Sequence, residues 1–345
     1  MRTPPLLAAA AWVAPALLLL FSAPVSLARE GAIEINQTCA TLSGCFPGDT
    51  AGFPVQITGA AGRNYRLASD LVVTSAITTA IELSGTTAGY TIDLNGFSLR
   101  GPVTCSGAPL VCSTSGLGVG ITRLFGSSAS GVTIRNGTIS GFGSDGVGLS
   151  TTDESVLENV VVRENAAAGV RLGTASRVSG VAAVLNFGDG IVVGAGSLIE
   201  SSTARENGGR GMSSSEGSVI AESAALSNVG TGIESPSAGV TMARNQSRLN
   251  GLYGLKGGFA TLFIDNAASS NGAVSASAGI FGGSGSRIQS DVLRKNTGLG
   301  LDFTGDCAYS NNTITENTVD QVGPATGARG GNECSGPGTG VATCP

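Results

Sequence analysis

Asparagine returns along this chain at a nearly constant interval. It stands at Asn165, Asn186, Asn207, Asn228, Asn250, Asn271, Asn296 and Asn317, in steps of 21, 21, 21, 22, 21, 25 and 21 residues. A fixed period of this length marks a repeat architecture and limits what the chain can fold into.

Other columns keep step with the asparagines. Eight residues before each stand Leu157, Val178, Ile199, Ile220, Met242, Phe263, Ile288 and Tyr309, all large and apolar or aromatic. Three before stand mostly small residues, among them Ala183, Ala204, Ala225 and Ala268. After each comes Gly and then an apolar residue, as in Gly169-Val170, Gly190-Ile191 and Gly211-Met212. Short strands alternate their side chains in and out, and three of them with turns use about 21 residues. Equivalent residues then stack at about 4.8 Å, the strand spacing. The expected fold is all-β, a single-stranded parallel β-solenoid with capped ends. A leucine-rich repeat of similar period would need a Leu-x-x-Leu-x-Leu pattern, which is missing.

The asparagine column has a structural explanation. Stacked amides can hydrogen-bond up and down a ladder. Asn also tolerates a left-handed turn, and the Gly after it is expected at a second turn position. The recurrence of "REN" at Arg163–Asn165 and Arg205–Asn207 is then the footprint of two coils.

Composition agrees with short strands and tight turns. Gly is 54 of 345 residues, roughly twice its usual share, while hydrophobic residues are still 41%. The formal charge of -5 argues against a nucleic-acid partner. The chain has no His, which removes Ser-His-Asp triads, Cys-His pairs and His-ligated metals.

Residues 1–28 read as a signal peptide. Arg2 precedes the apolar stretch Leu6 to Phe21, and "SLA" at Ser26 to Ala28 offers small residues for cleavage. Without a later long apolar run, an exported chain with no membrane association after cleavage is expected, acting as a monomer in a periplasm, at a cell surface or outside the cell. Residues 29–89 are expected to hold a cap and first strands, with regular coiling over 90–319 and a Gly- and Pro-rich C-terminal cap over 320–345. Within the coils, 102–120 is expected to project as a Cys-stapled insertion. Local disulfides are the simplest reading of Cys39 with Cys45, Cys105 with Cys112, and Cys334 with Cys344. Cys307 is left over, and Cys307 with Cys334 is an open alternative.

The stretches "IDLNGFSLRG" and "NGTISGFGSDGVGL", followed by the Asn-x-x-x-Gly coils, resemble right-handed parallel β-helix proteins of the pectin-lyase-like superfamily. The head "INQTCATLSGCFPGD" and the tail "NECSG…TCP" are similar to those of secreted bacterial right-handed β-helix repeat proteins. The resemblance implies a right-handed helix over nearly the whole mature chain. It does not choose a function, because that superfamily includes lyases, hydrolases, epimerases, adhesins and proteins without activity.

Candidate chemistry falls in three places. Asp145 and Asp189 share the column before the Gly, two coils apart, as paired carboxylates of a glycoside hydrolase would need. Asp302 and Asp306 are the nearest acidic couple for a lyase, but calcium is not indicated because no dense acidic cluster accompanies them. Arg163, Arg205, Arg248 and Arg294 recur at every second coil, a stripe able to hold uronate carboxylates. The residues favour an exported non-catalytic surface, scaffold or carbohydrate-binding protein, with a polysaccharide or cell-surface glycan as partner. The alternative is a polysaccharide-active enzyme, a lyase or glycoside hydrolase, acting on an acidic glycan.

Overall fold

The computed structural model describes residues 31–59, 63–85, 88–127, 129–273, 277–322, 327–328 and 330–335. The predicted signal peptide and Cys344 lie outside the described residues. Almost every element is a short parallel strand, and the one helix among the described residues is Gln37–Leu42. One sheet has 12 strands in sequence order, from Val55–Ile57 to Val319–Val322. A second, 23-stranded sheet carries two parallel ladders joined through the long strands Thr133–Ser140 and Val156–Arg163. Each regular coil therefore contributes three strands, as the period predicts.

The core is the stack of inward columns. Leu157 pairs with Val178, Val178 with Ile199, and Ile199 with Ile220, all of them fully buried. A second column runs through Val170, Ile191, Met212 and Ile233 in the 12-stranded sheet. Burying each such side chain is worth roughly 1.5–3 kcal/mol.

All three corners of the coil use one device: a residue with positive φ, then an inward polar side chain. At the first corner after the Arg column, the left-handed residues are Glu164, Leu185, Glu206 and Ser227. The ladder residues that follow them are Asn165, Asn186, Asn207 and Asn228. Asn207 Oδ1 accepts from both the backbone N–H of Asn186 at 3.1 Å and its Nδ2 at 3.0 Å, and this pattern continues to Asn317. A second ladder runs through Ser202, Ser223, Asn245, Asn266, Asp291, Asn312 and Asn332. A third runs through Ser155, Ser176, Ser197 and Ser218. Each ladder oxygen caps a corner N–H that no strand could pair.

Two sequence expectations are corrected here. The ladder asparagines are not the left-handed residues; the residue before each one is. Nor do the glycines that follow serve as left-handed turns, since Gly169, Gly190 and Gly211 are absent from the positive-φ positions. A Cβ on Gly190 would lie 2.6 Å from the Gly211 carbonyl oxygen and 2.8 Å from Asn207 Nδ2, so the column is glycine for lack of space between the coils.

Coiling also begins earlier than residue 90. Ile33–Ile35 already pairs with Asn64–Leu67, and Val55–Ile57 with Ile81–Leu83. The period is hidden there because the connections between equivalent strands differ in length. The insertion is anchored at its base, while residues 106–109 at its tip are exposed. Its strands Cys105–Ser106 and Val111–Cys112 pair antiparallel, and Val103, Cys105 and Leu110 are buried against Ala76, Ala166 and Leu185. At the other end, Val319–Val322, Gly327–Ala328 and Glu333–Ser335 add a last rung to each ladder.

Candidate functional site

The Arg column lies on the outer face of the 23-stranded sheet. Ser140 pairs with Arg100 and Arg163, Arg163 with Val184, and Val184 with Arg205. Leu226, Arg248, Ser269 and Arg294 continue it. Arg100 belongs to the column as well. The sequence reading missed it because the insertion at 102–120 separates it from its neighbour in the column, Ser140.

These arginines differ in their partners. Arg163 gives Nη1 to Glu164 at 3.1 Å, and Arg205 gives Nη1 to Glu206 at 2.9 Å. Arg100 meets Asp70 at 3.0 Å. Arg294 is held by Glu316, and that hydrogen bond, aided by Lys295, holds the Glu316 carboxyl below its ordinary range. Arg248 has no ion-pair partner among the described residues. A groove of about 510 Å³ opens along the first part of this column. Arg100, Arg163 and Arg205 line it together with Ser98, Thr138 and Ser140.

Asp145 and Asp189 occupy one column of the 12-stranded sheet's corner, as expected, and both are engaged. Asp145 Oδ1 accepts from the Ala168 N–H at 2.9 Å, and Arg171 reaches its Oδ2 at 3.1 Å. Asp189 Oδ1 accepts from the Arg210 N–H at 2.7 Å, while the Arg210 guanidinium binds its Oδ2 at 2.8 Å. Each carboxylate thus ties its coil to the next one.

The charge continues along this face. Glu234 lies 4.0 Å from Arg210 and 3.2 Å from Lys256, and Lys256 Nζ stands 5.5 Å from the ring centroid of Tyr253. Tyr253 meets Phe281 edge-on at 5.5 Å, and Phe281 pairs in register with Asp302. Asp302 Oδ1 accepts from the Phe303 N–H. The structure therefore places Asp145, Asp189 and Asp302 on one sheet and the Arg stripe on another. Tyr253 and Phe281 escaped the sequence reading because they stand in different columns, Phe281 in register with Lys256 and Tyr253 at the corner three residues before Lys256. Among the described residues, no three Cys, Asp or Glu side chains converge as metal ligands.

The disulfides Cys39–Cys45 and Cys105–Cys112 form as the spacing suggests. Cys334 is disulfide-bonded and Cys307 is a free, buried thiol, so the alternative pairing of these two is overturned. Burial pushes the Cys307 thiol up.

Asp291 stands in an asparagine slot of the second ladder and is fully buried. Its Oδ1 accepts from the Asn266 N–H and Nδ2, but its Oδ2 has no partner. Burial pushes its carboxyl up to about 7.

A family model described as a right handed beta helix region matches residues 111–256. No curated protein matches the chain in sequence. Among solved structures, the chain is similar to the A-module of the Azotobacter vinelandii mannuronan C-5 epimerase AlgE6, at 15% identity and TM-score 0.58 over 88% of each chain. It is also similar to the AlgE4 A-module from the same organism, at 15% identity and TM-score 0.54, over 91% of this chain and 89% of that one. A point mutant of the periplasmic alginate epimerase AlgG gives 11% identity and TM-score 0.50, over 78% of this chain and 84% of that one. At such identities the likeness shows the fold, a right-handed parallel β-helix.

Proposed function

We propose that this right-handed β-helix is an exported protein that binds an acidic polysaccharide along the groove of Arg100, Arg163 and Arg205. The observation that carries the reading is their spacing. Guanidiniums recur at every second strand, about 9.6 Å apart, with the Ser140 hydroxyl between the first two. An extended chain carrying carboxylates at regular intervals matches such a row. Arg163 and Arg205 each use only Nη1 on their glutamates, which leaves N–H groups for a second carboxylate. Disulfides support export, because they persist in oxidising compartments. Asp145 and Asp189 support a non-catalytic reading, since both are occupied in holding backbone and arginine.

The test is binding of the mature chain to polygalacturonate, polymannuronate and neutral dextran. Affinity for the uronates should exceed that for dextran and fall with salt. An Arg163→Ala, Arg205→Ala double variant should lose at least tenfold. Equal binding to dextran, or an unchanged double variant, sinks the proposal.

A second reading is a polysaccharide-active enzyme. Tyr253 and Lys256 favour it, because a hydroxyl and an ammonium stand on one face as candidate proton donors, Lys256 Nζ lying 5.5 Å from the ring centroid. The structural neighbours, named as epimerases of mannuronan and alginate, favour it too. New absorbance at 235 nm, new reducing ends or a changed epimer ratio, lost in Tyr253→Phe, would replace the binding-only reading.

A further inference from the structure

We infer that the disulfide-closed hairpin and Phe187 form a subsite for a sugar ring at one edge of the Arg groove. The inference rests on the acidic-polysaccharide reading above and adds a second mode of recognition to it.

Three observations converge. The first is a cavity of about 260 Å³ lined by Val111, Cys112, Thr114, Ser115, Ala166 and Phe187. The second is its continuity with the Arg groove. Val184 and Leu185 line that groove, Asn186 turns inward to the ladder, and Phe187 lines the cavity. Leu185 also packs beside the buried base of the hairpin, so one corner of chain serves both spaces. The third is the ring itself. Phe187 is 51% exposed, and its neighbours in the corner column are Ala166 and Gly208, too small to cover it.

The lining suits one kind of occupant. Val111 and Phe187 offer an apolar wall, and Val111 is itself 62% exposed. Ser115 and Thr114 offer hydroxyls, and the Ser115 hydroxyl has no partner among the described residues. A sugar ring has the complementary form, with C–H bonds on its face and hydroxyls on its rim. A uronate chain whose carboxylates sit on Arg163 and Arg205 would reach Phe187 with a neighbouring ring. The hairpin is held for this by the Cys105–Cys112 disulfide and by Ser113 N–H on the Thr104 carbonyl at 2.8 Å. Stacking then adds affinity that salt does not screen.

Titration calorimetry with oligogalacturonate hexamers tests this. Phe187→Ala should weaken binding about tenfold with its salt dependence unchanged, and Phe187→Trp should keep the affinity. The indole introduced by Phe187→Trp is the lone tryptophan once residues 1–28 are removed, and its emission should change when the hexamer binds. A Cys105→Ala, Cys112→Ala variant should behave like Phe187→Ala. If the wild-type chain binds the hexamer, Phe187→Ala binds it equally well and the emission of Phe187→Trp does not move, the subsite is wrong and the Arg groove stands. If the wild-type chain binds no uronate, the groove reading fails and takes the subsite with it.

Discussion

A Cβ placed on Gly169 would stand 2.7 Å from Nδ2 of Asn186 in the next coil. The Gly190 carbonyl oxygen would stand equally close, at 2.7 Å, so the ladder amide and the backbone of the next coil together fill the space that a side chain on the glycine would need. Gly169 itself has no left-handed backbone.

Gly169→Ala should destabilise the chain by about 1–3 kcal/mol through overpacking alone. Combined with Asn186→Ser, which removes one of the two obstructions and leaves the Gly190 carbonyl, the loss should fall only a little below the sum of the two single losses. Urea unfolding of the four proteins measures the coupling. Simple additivity would show that the Gly190 carbonyl, and not the ladder amide, excludes the side chain.

The middle of the ladder should be the costliest place to break it. Asn207 Oδ1 satisfies both the N–H and the Nδ2 of Asn186, all fully buried. Asn207→Ala leaves the Asn186 N–H unpaired and takes one of the two acceptors of its Nδ2, which keeps the Val162 carbonyl, and an unsatisfied buried group costs about 1–3 kcal/mol. We expect a loss of about 3 kcal/mol, against under about 0.5 kcal/mol for the exposed Glu206→Gln on the same turn. Thermal unfolding distinguishes them.

Stability should fall as pH rises toward neutrality because of Asp291. Its folded value of about 7 lies above the ordinary 3.8, so the folded chain holds a proton that the unfolded chain has released. The stabilisation is complete below about pH 4, is lost through about pH 7 and then levels off. The linked change is at most about 4 kcal/mol. Asp291→Asn supplies the Nδ2 that the other ladder positions use to reach a carbonyl, as Asn266 does toward Met242. It should raise stability at pH 8 and remove this part of the pH dependence. An unchanged pH profile in that variant would count against a protonated ladder carboxyl.

Arg100 and Arg248 separate the groove from the stripe. Both lie in the column, but only Arg100 lines the groove. Arg100→Ala should weaken polyuronate binding and flatten its salt dependence, whereas Arg248→Ala should do neither. Equal effects from the two would move the binding surface to the whole stripe.

Cys307 should be silent in the native chain. It is buried, and desolvation keeps it protonated. A thiol reagent should find no fast-reacting group at pH 8 and one group after unfolding without reductant. A fast native reaction would contradict its burial.

The sequence by itself determined the coil. A solenoid needs the same residue type at the same place in every turn, so Leu157, Val178 and Ile199 announce their column without coordinates. The Asn165 to Asn317 ladder does so too, because an amide both accepts and donates and few residues replace it. Local disulfides followed from short spacing. Tertiary structure alone decided the rest. The second ladder needs only an acceptor oxygen, so Ser223, Asn245 and Asp291 substitute for one another and no single letter repeats. The left-handed corner takes Glu164, Leu185 or Ser227 alike, because it constrains backbone rather than side chain. Arg100 joined its column only once the insertion at 102–120 had been folded out of register, and Tyr253 met Phe281 only because a corner brings two different columns together. The hairpin at Cys105–Cys112 lies against Leu185 because its apolar base buries there, a contact between segments with no shared period.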